Sequence, residues 1–336
     1  MSSGKMVCCF GELLLRYSPA MNGVFIKDAL MPVYIGGAEL NVAKALALWN
    51  QPVKYVTVLP QNYFSKEIVD NIANTKIDIA HIKYSGERIG CYYLPQGKDL
   101  KNNAVIYDRN YSAFSALQPG SIHWDEVFEG VSWFHISAIS PALNRNVAAV
   151  CLEAVKAAKA KFITVSIDLN YRAKLWQYGK QPIEIMPALV EQCDVVMGNI
   201  WAAHSLLGID KIIDDSIGKS KDALSNAAEI GMNAFVKAYP NVKTMAYTFR
   251  LEQKYFACLH HQNTFSVSEE YEITNLIDKV GSGDCFMGGL IFGLINNKPN
   301  NEVINYAASA AILKLQQLGD ATLSSIADVE KRMQHG

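Results

Sequence analysis

Two periods of apolar and polar residues run along this chain and divide it into elements. Met6–Phe10 is a short apolar run stopped by Gly11-Glu12, the pattern of a buried strand. Over residues 13–35 the alternation is looser, with turn signals at Pro19, Asn22-Gly23 and Pro32, which predicts short antiparallel strands. Gly36-Gly37 then opens a helix to about Trp49, apolar at Leu40, Ala43, Leu46 and Ala47. Strands are predicted at 54–59 and 79–84 around a helix at 65–75. Two further strands are predicted at 88–94 and 103–109 around the turn Gln96-Gly97. From Val131 the pattern is regular. Strands at 131–136, 162–167, 194–198 and 243–248 alternate with helices at 144–160, 183–191, 200–207 and 221–238. Such alternation predicts an α/β fold with a mainly parallel central sheet, helices on both faces, and ligands at the carboxyl ends of the strands. The early strands, from about 13–35 and 86–111, do not belong to that layer and are expected to form a small inserted β-sheet.

One stretch carries most of the chemistry. Residues 278–289 read DKVGSGDCFMGG. Gly281, Ser282 and Gly283 lead into Asp284, and an apolar run at helical spacing follows (Cys285, Phe286, Met287, Leu290, Ile291, Leu294). This is a tight turn delivering a carboxylate at a helix N-terminus. The turn amides and the first helical N–H groups lack helical partners, so they form a site for a phosphate or a developing oxyanion. Asp284, at its rim, is placed to accept a proton from a hydroxyl. Phosphoryl transfer to an alcohol needs both functions. The plain alternative is an Asp that only caps its helix.

Composition narrows the field. With 336 residues, half of them hydrophobic, the chain can bury a large core. A formal net charge of −1 with no basic stripe argues against nucleic acid. The longest apolar run, residues 285–295, is far short of the ~20 residues that span a bilayer, and no signal peptide is visible. The seven cysteines form no C-x-x-C pair and are expected to be buried free thiols, which points to the cytoplasm. Adjacent His260 and His261 would point to opposite faces of a strand, a poor chelating pair, and no metal ligands are assigned.

The string around Asp284 resembles the C-terminal signature of the ribokinase-like (PfkB) sugar kinases, D-x-x-G-A-G-D-x-F-x-x-G. Asp278, Gly281, Gly283, Asp284, Phe286 and Gly289 match, with Ser282 in place of the usual Ala. Residues 36–47, GGAELNVAKALA, resemble the N-terminal signature of the same family, G-G-A-x-x-N-x-A. The resemblance implies a ribokinase-like three-layer αβα sandwich, a single domain over residues 1–336, with the small sheet as a lid over the sugar and often a homodimer surface. It also implies ATP and Mg2+ as cofactors, Asp284 as catalytic base, Gly281, Ser282 and Gly283 as anion hole, and Gly36, Gly37 and Asn41 on the sugar.

Three more stretches narrow the resemblance to 2-keto-3-deoxygluconate kinases. In the lid, Tyr92, Tyr107 and Arg109 match G-x-Y followed by Y-x-R. Tyr107 and Arg109 are two apart, hence on one face of a strand, and a guanidinium suits the carboxylate of an acidic sugar. Residues 168–176, DLNYRAKLW, match D-x-N-x-R-x-x-L-W and add Arg172 as a second candidate for the substrate carboxylate or the transferring phosphate. The ending over 306–330 resembles the same branch. The implied reaction is ATP-dependent phosphorylation of the primary hydroxyl of 2-keto-3-deoxygluconate. Asn170, Asn199, Thr248, Arg250, Gly281 and Gly283 fall on the nucleotide side. The chain departs from the family at Ala202, where the N-x-x-E pattern has a Glu that helps to organise Mg2+, and at 246–250, where T-x-G becomes T-x-R. Two rivals follow from these features: a kinase for fructose or another ketose, and a sugar-acid-binding protein with little kinase activity.

Overall fold

Every second residue of the central strands packs into a different core. In Met6–Phe10, Val7 and Cys9 join one apolar cluster while Cys8 and Phe10 join another. Lys254–His261 divides in the same way, with Tyr255, Ala257 and Leu259 on one face and Phe256 and Cys258 on the other. A strand whose successive side chains are both buried must lie between two helical layers. The computed structural model, which describes residues 5–19, 25, 31–96 and 105–334, is that three-layer αβα sandwich. Parts of the predicted lid, residues 20–24, 26–30 and 97–104, lie outside the described residues.

Among the described residues the main sheet has nine strands. From one edge it runs Val53–Val56, Met6–Phe10, Val131–Ser137, Thr164–Asp168, Val195–Gly198 and Thr244–Arg250, all parallel. It is completed by Lys254–His261 and Thr264–Val267, both antiparallel, with Tyr271–Glu272 also pairing to Lys254–His261. The antiparallel edge was not foreseen beyond a strand-like reading of 260–261. Two early predictions also change. Residues 54–59 split into Val53–Val56 and Val58–Leu59, and 79–84 shrinks to Lys83–Tyr84, which pairs with Val58–Leu59 away from the main sheet.

Ala38–Leu48, Ser282–Ile295 and Asn300–Leu315 pack on one face of the sheet. Arg145–Ala160, Pro182–Val190, Ile200–Leu207 and Lys221–Ala238 pack on the other. Small residues set the close approach of the first two: a Cβ on Gly288 would lie 3.1 Å from that of Ala45. This contact brings Asn41 beside Asp284.

The small sheet is separate, with strand order Val33–Gly36, Leu14–Tyr17, Gly90–Tyr93, Ile106–Asp108. Its central pair is parallel and its outer pairs antiparallel. All seven cysteines are buried free thiols. Among the described residues no helix is long and apolar enough to cross a membrane.

Candidate active site

A cleft of about 510 Å³ lies where the carboxyl ends of the parallel strands meet the small sheet. Asp168 and Gly198 end two central strands there, and Arg250 ends a third. One helix start closes the floor. Gly281 caps Ser282–Ile295 in the left-handed region (φ 79°), and the first helical hydrogen bond runs from the Cys285 N–H to the Gly281 carbonyl. The amides ahead of Cys285 therefore have no helical acceptor, and Gly281, Ser282 and Gly283 line the cleft. Gly281 is required twice over, by its φ and because a Cβ there would sit 1.7 Å from the Asp320 carbonyl oxygen.

Asp284 stands at the rim of this turn. Asn41 Nδ2 donates to its Oδ2 at 2.7 Å, while Asn41 Oδ1 is buried without a partner. Burial pushes the Asp284 carboxyl up from 3.8 to about 7. The Asn41 hydrogen bond and Arg172 pull it down, and the nearby Asp168 and Glu39 charges push it up. A carboxyl titrating near neutrality is suited to proton transfer. Glu39, in the turn of helix before Asn41, accepts from the Ser137 N–H at 2.9 Å and its hydroxyl at 2.6 Å. Burial raises its carboxyl to about 7 as well.

The structure gathers fourteen of the fifteen expected site residues on this cleft: Gly37, Asn41, Tyr92, Tyr107, Arg109, Asn170, Arg172, Asn199, Thr248, Arg250, Gly281, Ser282, Gly283 and Asp284. Gly36 is the exception. It ends a strand of the small sheet against Asp320, whose Oδ2 would lie 2.1 Å from a Cβ at that position, so it makes room for a protein carboxylate rather than lining the cleft.

Several of these side chains have protein partners that the sequence did not disclose. Arg109 Nε and Nη2 both lie 2.6 Å from Glu12 Oε2, a buried ion pair, and Glu12 Oε1 accepts from the Ser112 hydroxyl. The charge of Arg109 is thus balanced within the protein. Tyr92 donates its hydroxyl to Asp320 Oδ2 at 2.9 Å. Asn199 caps Ile200–Leu207 by accepting from the Ala202 N–H at 2.8 Å. Ala202 itself is buried in the apolar core under that helix. Arg172, half-buried, donates to the Tyr171 carbonyl at 3.0 Å, and Arg250 reaches Ser282 Oγ at 3.4 Å.

Further cleft residues were overlooked, Lys279, Glu252 and Trp201 among them. Lys279 sits one residue after Asp278 in the turn, Glu252 follows the strand that ends at Arg250, and Trp201 stands beside Ala202. Lys279 could have been noticed as a cation inside the Gly-rich string. Nothing local marks the other two. Among the described residues no group of three or more His, Cys, Asp or Glu side chains could cage a metal ion.

A strand-end cleft in an αβα sandwich, where helix-start amides without helical acceptors stand beside a buried carboxylate, has the make-up that suits phosphoryl transfer. Residues 5–327 match the pfkB family carbohydrate kinase model, and the chain belongs to that family. It is 26% identical to a 2-dehydro-3-deoxygalactonokinase of Haloferax volcanii over 328 residues, which is 97% of this chain and 96% of the relative. The crystal structure of 2-dehydro-3-deoxygluconokinase from Thermotoga maritima superposes with a TM-score of 0.87 at 31% identity, covering 98% of this chain and 99% of that one. A probable fructokinase of Arabidopsis thaliana is 24% identical over 298 residues, 88% of this chain and 83% of the relative.

Proposed function

We propose that this carbohydrate kinase transfers the γ-phosphoryl group of ATP to the primary hydroxyl of a 2-keto-3-deoxy sugar acid, 2-keto-3-deoxygluconate, giving the 6-phosphate. The observation that carries the reading is the Asn41–Asp284 pair facing the Gly281–Gly283 turn. A hydroxyl lying between them is next to both a base and an anion site.

The sugar enters under the small sheet, which serves as the lid. The unpartnered Asn41 Oδ1 accepts a hydrogen bond from a sugar hydroxyl while Nδ2 holds Asp284 in place. Asp284 accepts the proton of the primary hydroxyl as its oxygen bonds to phosphorus. The bond to the β-phosphate bridging oxygen breaks and ADP leaves. The turn amides stabilise charge on the transferring group, and Arg250 and Lys279 add positive charge on the nucleotide side. Arg172, a half-buried guanidinium lining the same cleft, is assigned to the substrate carboxylate because its planar fork suits a carboxylate.

When bound with ATP, Mg2+ would supply positive charge against that of the phosphates. The donors in the cleft fit such a hard cation: Asp168, Asn170 and Asn199 offer oxygens, and Mg2+ needs only one or two carboxylates when phosphates and waters complete its shell. Asp168 is assigned to replace the carboxylate absent at Ala202.

The outer face of the small sheet carries Tyr17 stacked on Tyr93 (centroids 5.2 Å apart) and exposed Val33 and Ile106. We assign it to a homodimer contact, which sedimentation equilibrium tests. The buried free thiols fit a reducing cytoplasm.

A second reading, a kinase for a neutral ketose, has one observation in its favour: Glu12 already balances Arg109. Coupled ADP release with Mg·ATP against 2-keto-3-deoxygluconate, its galactonate epimer, fructose and ribose separates the readings. Turnover on the acids alone is expected. Preference for fructose would discard the carboxylate assignment and keep the catalytic one.

A further inference from the structure

Arg16 sits at the centre of the small sheet and is 1% exposed. The register places it opposite Tyr34 on one neighbouring strand and Tyr92 on the other. Its guanidinium lies 4.4 Å from the centre of the Tyr34 ring. A guanidinium in so dry a place needs anions around it, and it has two, both from outside the sheet. Nη2 is 2.6 Å from Asp278 Oδ2 and Nη1 3.2 Å from Oδ1, a two-pronged pair. Nε is 2.8 Å from Asp320 Oδ1, a charge contact without hydrogen-bond alignment.

These two carboxylates hold the anion-binding turn. Asp278 opens it, and its Oδ1 accepts from the Val280 N–H at 3.1 Å. Its Oδ2 accepts from the Gly319 N–H at 3.3 Å, which ties the turn to the segment carrying Asp320. The Asp320 carbonyl presses on Gly281, and its side chain accepts from Tyr92 back in the small sheet. The ring of contacts closes: small sheet, Arg16, Asp278, turn, Asp320, Tyr92, small sheet. Stability does not explain the device, because a buried ion cluster adds little over apolar packing of the same shape. What apolar packing cannot supply is a fixed direction and distance for each of three segments.

We propose that Arg16 is a positioning residue that locks the Gly281–Gly283 turn to the small sheet, so that the phosphoryl-binding amides and the sheet over the sugar act as one body. The proposal rests on the reading of the turn as the phosphoryl site. Lysine keeps the charge and loses the fork, so Arg16→Lys should let the turn drift. A shift of about 1 Å costs about 10²-fold in turnover. Expected for Arg16→Lys is that loss in kcat with the sugar KM unchanged, and for Arg16→Met a larger loss. Hydrogen–deuterium exchange of the folded Arg16→Lys protein is expected to speed up in peptides covering 278–285 and 90–94 but not in the strand Met6–Phe10. Native kcat, unchanged exchange at 278–285, or exchange raised evenly along the chain would each overturn the proposal. Absence of turnover in the wild type on every sugar would count against the proposed function instead, and the exchange comparison would still decide the role of Arg16.

Discussion

Replacing Asp284 by asparagine removes a charge and keeps the shape, and its effects on turnover and on stability should have opposite signs. The folded protein holds this carboxyl near 7, against 3.8 for an exposed one. A carboxyl raised on folding contributes its full stability only below the unfolded value and loses it as the pH rises through the folded value. At pH 8 the wild type therefore carries a buried carboxylate that the Asp284→Asn variant lacks. Between pH 5 and the folded value near 7 lie about 2 pH units, each about 1.4 kcal/mol. The variant's stability advantage should thus widen by up to about 3 kcal/mol from pH 5 to pH 8. At about 2–4 °C per kcal/mol for a chain of this size, that is several degrees in Tm. Asn41 can still donate to the amide oxygen, so sugar binding should persist. Turnover should fall by about 10²–10⁴-fold, the usual contribution of a positioned base. The assay is thermal unfolding of both proteins at pH 5 and pH 8 beside coupled ADP release at saturating sugar. A Tm difference that does not grow with pH, or turnover near the native level, would refute the reasoning.

Gly281→Ala should cost about 1–3 kcal/mol from its backbone conformation alone, with the clash against Asp320 in addition; a lowered Tm and a kcat loss of at least about 10²-fold check it. Arg109→Leu strands Glu12 in the interior and should destabilise by about 3–5 kcal/mol, with Glu12→Gln in the same chain restoring most of it, as read by urea unfolding. Arg172→Ala should raise KM for the sugar acid by about ten- to a hundredfold, the value of a charged hydrogen bond, and leave fructose little changed; equal effects on both would remove Arg172 from the carboxylate. The wild-type kcat should rise as the pH passes through about 7, when Asp284 loses its proton, and the residual turnover of Asp284→Asn should lack that step.

Much of this protein is determined by short-range pattern. Short apolar runs and period-3.6 patterns specify the central strands and the long helices, because the strands lie between two helical layers and each helix turns an apolar face toward the sheet. The turn at Gly281–Asp284 was legible for the same reason: a Gly, a helix start and a carboxylate lie within four residues, and the structure has a left-handed Gly281 opening Ser282–Ile295 there. Strand-end positions at Asp168, Asn170 and Arg172 followed from the parallel topology.

What the sequence could not determine are the partners of its charges. Glu12 and Arg109 are 97 residues apart and Arg16 and Asp278 are 262 apart. No local pattern says which buried cation meets which carboxylate, since Coulomb attraction does not depend on position along the chain. Arg109 therefore read as a ligand for an acidic sugar, and only the fold discloses that Glu12 reaches it first. Gly36 matched a ligand-binding signature, yet the tertiary structure turns its face to Asp320. The antiparallel hairpin at the sheet edge, Lys254–His261 with Thr264–Val267, showed in the sequence only as a strand-like stretch at 260–261. Pattern within about ten residues decides which elements exist. Which charges neutralise one another, and so which remain for a substrate, is decided only when the layers close.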